Sequence, residues 1–362
     1  MTVRTEAPFR HGQPARAGVL FVNLGTPDAA TPAALRRYLA EFLSDTRVVE
    51  IPKLLWAPIL HGIILRTRPA KSARKYATVW MPEGSPLLVW TQRQAQALAR
   101  TLSARGLEVP VVTAMRYGNP SIASGLQSLR DQGVTRVLVL PAYPQYSGAT
   151  TGSAFDKVAE WGQNTRYVPE FRFVNQYHDQ PAHIAALAGT VKAHWEKAGR
   201  GDMLVMSFHG MPERTLHLGD PYHCQCYKTA RLLATELGLT PEQYKVTFQS
   251  RFGKAKWLEP ATEPSLIALA GQGVKRVDVL CPGFLADCLE TLEEISQEAR
   301  EAFLHAGGER FEYIPCLNED PAGIGALADL AQQHMAGWEL APTSVEVCNA
   351  SRARALAMGA SD

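Results

Sequence analysis

QGVTRVLVLPAYPQYSGATT (132–151) and QGVKRVDVLCPGFLADCLET (272–291) are two versions of one pattern, 140 residues apart. Each runs from a Gly turn through a short β-rich segment to a Pro-bearing turn, as a strand does when it ends and hands over to a helix. Outward from this pair, AMRYG (114–118) matches QSRFG (249–253) at a spacing of 135. VNLGTP (22–27) matches SFHGMP (207–212) at a spacing of 185. Three matches in one order mark an internally duplicated chain. Gly25 meets Gly210, Gly118 meets Gly253, and Leu24 meets His209.

The spacings fall from 185 to 135, so the first half carries about 50 additional residues between Pro27 and Val109. That interval holds the apolar LLWAPILHGIIL (54–65) and the basic RTRPAKSARK (66–75). It reads either as an apolar lip beside basic residues, marking a ligand or membrane contact, or as a helix pair packed on the first half.

β-rich runs alternate with helical stretches, which argues for a parallel α/β architecture. Strands are predicted at Val19–Asn23, Val109–Ala114, Arg136–Leu140, Met203–Ser207, Lys245–Gln249 and Arg276–Leu280. Helices are predicted at Pro32–Leu43, Thr91–Ala104, Pro120–Gln132, Pro181–Ala198, Lys228–Leu237, Glu263–Gln272 and Glu290–Ala306. In such folds the site lies at the carboxyl ends of the strands, where all the repeated motifs fall, so both halves face one cleft.

Composition narrows the class. The chain has 362 residues, 46% apolar and 20% charged, which suits two packed domains and excludes wholesale disorder. Lys and Arg number 37 against 35 Asp and Glu, too balanced for a general nucleic-acid binder. The six cysteines, Cys224, Cys226, Cys281, Cys288, Cys316 and Cys348, are too few for a disulfide scaffold and contain no C-x-x-C pair. The N-terminal residues lack the apolar core of a signal peptide. LLWAPILHGIIL is shorter than the roughly 20 residues of a spanning helix, and a cytosolic setting is expected.

Several side chains could carry chemistry. His209 ends a strand where its repeat mate is apolar; it is a base or metal ligand, or a capped core histidine. Asp287, Glu290 and Glu294 fall on one helix face at an N-terminal end. They are a carboxylate line for protons or a hard cation, or simple complements of the helix dipole. Tyr143, Tyr146, Ser147, Thr150, Thr151, Gly152 and Ser153 form a hydroxyl- and Gly-rich turn suited to an anion, without a Walker lysine or GxGxxG. Arg116 and Tyr117 suit a flat carboxylate-bearing ligand, or Arg116 is held in a structural salt bridge. Cys224 and Cys226 are read as plain thiols. The absence of GxSxG leaves metal and flat-substrate handling a better fit than hydrolysis.

The motifs NLGTPD (23–28), FLSDTRVVEIP (42–52), MRYGNPS (115–121), LPAYPQYS (140–147), SFHGMPER (207–214), GDPY (219–222), TFQSRFG (247–253), PGFLADCLETLEE (282–294) and EYIPCLN (312–318) resemble ferrochelatases of the proteobacterial type, from about Gly18 to about Gln333. The resemblance implies two similar Rossmann-like, chelatase-type domains around a porphyrin cleft. It implies insertion of ferrous iron, as substrate, into protoporphyrin IX to give protohaem, the last step of haem biosynthesis. It implies His209 and Glu290 as catalytic and metal-binding residues, and Asp287 and Glu294 as a proton or metal relay. Leu24, Arg116, Tyr117, Tyr143 and Phe284 are implied as porphyrin contacts, and the 54–65 segment as a lip in peripheral contact with the inner face of the membrane. Cys288 replaces a histidine found in some relatives. With only Cys348 in the C-terminal tail and Gly148 at the usual internal ligand position, no iron–sulfur cluster is expected.

The expected organisation is a flexible tail over 1–16 and a first domain over 17–170 with the lip insertion at about 45–90. A second domain over 171–320 follows, then a helix across both domains at 321–340 and a flexible tail over 341–362. A cobalt-inserting or coproporphyrin-using chelatase, and a non-catalytic tetrapyrrole or metal carrier, are the competing readings.

Overall fold

The computed structural model describes residues 9–253, 255–340 and 343–361. The described strands make two four-stranded parallel sheets. The first contains β1 (Arg16–Gly25), β2 (Val111–Tyr117), β3 (Val134–Pro141) and β4 (Glu170–Phe173) in the order β2-β1-β3-β4. The second contains β5 (Met203–His209), β6 (Tyr244–Gln249), β7 (Arg276–Leu280) and β8 (Arg310–Ile314) in the order β6-β5-β7-β8. The topologies are identical, so the α/β duplication read from sequence is the fold.

The register repeats as well. Val19 stands opposite Leu138 and Leu204 opposite Asp278, one pair carried onto the other by the 185 and 140 spacings. Arg136 opposite Glu170 and Arg276 opposite Arg310 repeat at 140 on both sides. β6 departs from the pattern: Tyr244, not Val246, stands opposite Leu204. A slip of two leaves every side chain on its own face. β4 (EFRF) and β8 (RFEYI) escaped the sequence reading because short edge strands mixing charged and aromatic residues lack an apolar run.

β1 shows why the central strands read as unbroken apolar runs. Val19 and Phe21 enter one core cluster while Leu20 and Val22 enter another, so both faces are covered. The first of these clusters also contains Leu204, Met206 and Phe208 of β5, which joins the two halves through one core.

Between β1 and β2 lie α1 (Pro32–Ser44), α2 (Lys53–Ile59), a π-helical turn (Leu60–Ile64), α3 (Leu65–Val79) and α4 (Pro86–Ala104). Thr31 caps α1, its Oγ1 accepting from Ala34 N at 3.4 Å, and Pro32 takes the first turn, where no amide donor is needed. The first half adds α5 (Ile122–Asp131) and α6 (Ser153–Gln163), and α7 (Pro181–Ala198) leads into the second half. There α8 (Glu213–His217), α9 (Tyr222–Glu236), α10 (Thr262–Gly271) and α11 (Arg300–His305) follow, and α12 (Pro321–His334) packs on α7 and on α4. α2, the π-turn and α3 supply 27 of the roughly 50 additional residues of the first half.

Three expectations need correction. β4 belongs to the first sheet, so the first half runs past 170. The tail expected over 341–362 contains α13 (Val345–Ala357), started by Ser344, whose hydroxyl accepts from Val347 N at 3.3 Å. Residues 1–8 of the expected N-terminal tail lie outside the described residues, and Gly12 lies against α13, with room for a Cβ denied by the Cys348 carbonyl oxygen. The helix expected over Glu290–Ala306 is divided: Glu290–Ala299 is a π-helix of 10 residues, and α11 follows it.

Candidate active site

Parallel strands deliver their last residues to one edge. That edge receives Leu24 from β1, Arg116 and Tyr117 from β2, and Tyr143 just after β3 in the first half. In the second half it receives His209 from β5, Ser250 just after β6, and Phe284 after β7. The repeat-mated glycines serve the crowding at this edge: a Cβ on Gly25 would meet the Tyr117 carbonyl oxygen at 1.9 Å, and one on Gly210 the Gln249 carbonyl oxygen at 2.5 Å.

His209 is half-buried, and its Nδ1 lies 2.6 Å from the Gly210 carbonyl oxygen. A carbonyl only accepts, so Nδ1 carries the hydrogen and the Nε2 lone pair is left for a proton or a metal. The Phe284 ring stands 6.4 Å away, centroid to centroid.

The carboxylates come from the π-helix. Glu294 accepts from Ser250 N at 2.5 Å and from the Ser250 hydroxyl. Burial pushes the Glu294 carboxyl above its ordinary range, the Ser250 donors and His209 pull it back, and Glu290 raises it again. Glu294 thus lies within electrostatic reach of both His209 and Glu290. Ser250 holds φ at 64°, an uncommon conformation for a non-glycine residue, and this aims both of its donors at Glu294. Glu290 also acts on Tyr38 of α1 and Tyr76 of α3, whose hydroxyls are pushed up chiefly by burial, and both rings pack in one cluster with Leu289 at the start of the π-helix.

Asp287 is placed differently from the expected line. It is 5% exposed and accepts from Tyr313 Oη at 2.5 Å, Asn318 Nδ2 at 2.7 Å, Thr291 Oγ1 at 3.2 Å and Cys316 N at 3.3 Å. Its lone pairs are spent on the second half's own frame, because it precedes the π-helix and points beneath it. Cys288 is buried, with its thiol raised by burial and by Glu290.

Arg116 and Tyr117 also face inward. Arg116 Nε donates to Ser153 O at 3.0 Å and its Nη2 to Asp45, while Nη1 has no hydrogen-bond partner. Tyr117 has no exposed surface, donates to Asp45 Oδ2 at 2.8 Å and meets Phe42 edge-on. Of the two readings of Arg116, the buried salt bridge is therefore present. Burial would raise the Asp45 carboxyl, but Ser153, the Arg47 amide, Tyr117 and Arg116 together hold it below its ordinary value. Neither Asp45 nor Ser250 stands out by residue type within the 42–52 and 247–253 motifs; only their partners in space identify them. Leu24, Tyr143 and Phe284 are half-buried at the edge, and the Tyr143 hydroxyl is without a partner. Thr151 and Ser153 of the hydroxyl-rich turn are buried, and Ser153 is engaged by Arg116.

Among the described residues, no three His, Cys, Asp or Glu side chains converge as a metal cage. Cys224 and Cys226 sit on α9, one exposed and one fully buried, on different faces. A surface cavity of about 630 Å³ lies beside them, between α9 and β6, and neither His209 nor Glu290 lines it.

A protein-family model described as Ferrochelatase matches residues 16–335. The ferrochelatase of Polaromonas sp. strain JS666 is 63% identical over 99% of this chain and 100% of its own length. That of Azoarcus sp. strain BH72 is 58% identical over 99% of each. Among solved structures, the sirohydrochlorin chelatase SirB from Bacillus subtilis subspecies spizizenii, in complex with cobalt, shares the fold: TM-score 0.51 at 12% identity, over 89% of this chain and 97% of that one.

Proposed function

This chain belongs to the ferrochelatase family and is an enzyme, a protohaem ferro-lyase inserting ferrous iron into a porphyrin to make haem, and from this premise we propose how its cleft works. The porphyrin is protoporphyrin IX. What supports the reading is the His209 Nε2 lone pair at a strand end, with Glu294 as its electrostatic neighbour and Glu290 beside Glu294 on the π-helix.

Iron replaces two pyrrole protons, so the balanced step is porphyrin plus Fe(II) giving haem plus two protons. His209 accepts one proton at Nε2 or holds the iron as it enters. Glu290 accepts the second, and Glu294, its pKa raised, is the next acceptor in line. Asp287, with its donors already in place, anchors the start of the π-helix and takes no proton. Leu24, Tyr143 and Phe284 form the walls against the macrocycle, and walls shaped for a bent ring accelerate insertion because only binding stronger in the transition state does so. Arg116 acts from behind the wall, its guanidinium held by Asp45 and Ser153 with Glu41 4.0 Å from Nη1, and Tyr117 holds the same frame through Asp45.

The insertion serves as an apolar lip. Leu54 is 91% exposed and Leu55 66%, with Ile59 and Ile63 also exposed, and α2 buries no residue. Lys53, Arg66, Arg68, Lys71 and Arg74 lie on the same segment. No helix among the described residues is long and apolar enough to cross a membrane. The lip makes peripheral contact at the inner face of the membrane of a cytoplasmic protein, with basic side chains near the headgroups. An apolar entrance also favours the vinyl-edged protoporphyrin over the tetracarboxylate coproporphyrin.

The test is anaerobic incubation with Fe(II) and protoporphyrin IX, followed in the Soret and Q bands, beside His209→Ala and beside coproporphyrin III. Multiple turnovers on protoporphyrin, lost in His209→Ala with porphyrin binding retained, are expected. Near-native turnover by His209→Ala would remove the histidine from the mechanism, and faster turnover of coproporphyrin III would reassign the substrate.

A further inference from the structure

The ammonium of Lys75, on α3 of the insertion, crosses to the π-helix of the second half. Its Nζ lies 2.9 Å from Glu293 Oε1, 3.0 Å from Glu293 Oε2 and 2.7 Å from Glu298 Oε1. Glu293 and Glu298 are five residues apart. In an α-helix, positions i and i+5 point roughly 140° apart, and one ammonium cannot reach both carboxylates. In a π-helix, hydrogen-bonded from i to i+5, the wider turn brings the two positions to roughly 50° apart on one side, within the span of one ammonium. The bridge therefore favours the π form. The Glu293 side chain is 9% exposed, so its charge needs this counter-ion. Around the bridge, Ala73 and Tyr76 of α3 pack in one cluster with Leu35 of α1 and Leu289 at the start of the π-helix.

We propose that Lys75 is a positioning residue: by bridging Glu293 and Glu298 it holds the segment Glu290–Ala299 in the π form and so sets Glu290 and Glu294 in the cleft. The link also couples the lip to the catalytic wall, because the helix that carries Lys75 continues directly from the exposed apolar segment. A return of the segment to α-helical winding would turn Glu294 relative to Glu290 and withdraw it from the Ser250 donors. This inference rests on the reading that Glu290 and Glu294 serve in the cleft.

The experiment uses the full chain and Lys75→Met, which keeps the aliphatic stem. Amide hydrogen exchange over 290–299 and steady-state kinetics with Fe(II) and protoporphyrin IX are read together. Because Lys75 is partly exposed, the expected effect is about fivefold faster exchange and about fivefold lower kcat, with KM for the porphyrin little changed. Lys75→Arg should restore both. Glu298→Gln, at an exposed position that does not endanger folding, should move both the same way by less. Unchanged exchange in Lys75→Met, or in Glu298→Gln if the first variant fails to fold, would overturn the proposal. Faster exchange with unchanged kcat would keep the bridge as the holder of the π form and overturn the role of the two carboxylates instead.

Discussion

Arg116 and Asp45, 71 residues apart, form an ion pair with both side chains under 10% exposed: Arg116 Nη2 donates to Asp45 Oδ2, which also accepts from Tyr117 at 2.8 Å and from Ser153 at 2.5 Å. The pair ties the end of β2 to the loop after α1, on which the insertion is hung. Removing one member of a buried pair leaves the other charge uncompensated. Asp45→Ala is expected to cost about 3–5 kcal/mol in urea denaturation. The double variant Asp45→Leu with Arg116→Met should recover part of that loss. A single-variant cost below about 1 kcal/mol would show that the charge is solvated by other means.

Glu294 gives a pH signature. Its pKa is raised by burial and lowered by Ser250, so removing the Ser250 hydroxyl raises it further. Ser250→Gly suits the positive φ, removes the side-chain donor and keeps the amide donor. A carboxylate must be ionised to accept a proton, so activity falls as pH drops through its pKa. The acid limb of the kcat profile should therefore move to higher pH, by up to about one unit. A limb that stays in place would detach Glu294 from proton transfer.

His183, on α7, is 2% exposed with Nε2 unpartnered, and burial, helped by His178, holds its pKa at about 4. The ordinary value is near 6.5, so between these limits the unfolded chain binds more protons than the native one. The resulting stability is complete above about pH 6.5 and is lost as pH falls towards 4, at up to ~1.4 kcal/mol per unit. His183→Leu should flatten this dependence in urea titrations at pH 7, 5.5 and 4.5. Equal slopes in the two proteins would refute the assignment.

The lip is testable away from the chemistry. Leu54→Glu with Leu55→Glu should weaken sedimentation with phosphatidylglycerol-containing vesicles several-fold, because two exposed apolar side chains each lose favourable burial. Turnover of detergent-dispersed protoporphyrin should stay close to native. Undiminished vesicle binding would place the membrane contact elsewhere.

The duplicated fold could be read from local patterns because strand runs, Gly turns and their spacings are local. The 185 and 140 spacings anticipated the register of β1 with β3 and of β5 with β7. The position of His209 at a strand end followed from the same patterns. Edge strands β4 and β8 were not legible, since each pairs with a single neighbouring strand and neither carries an apolar run.

The site was legible as a set of residues at strand ends and only partly as geometry. Leu24, Tyr143, Phe284, His209 and Glu290 stand at the edge named from sequence. Arg116 and Tyr117 were named as ligand contacts, yet Asp45 turns both inward. Asp287 was placed in line with Glu290 on α-helical spacing, yet four donors hold it beneath the helix.

What the sequence by itself determined is the duplication, the parallel sheets and the strand ends at which the candidate residues stand, because these depend on periodicity between near neighbours. What only the tertiary structure decided is which polar groups are consumed by partners and which remain free, and how Glu290–Ala299 winds. The same ten residues satisfy their backbone in either an i+4 or an i+5 pattern, and the choice falls to contacts such as Lys75, 218 residues from Glu293. Partners at that separation leave no local pattern, because the chain between them sets only whether they can meet.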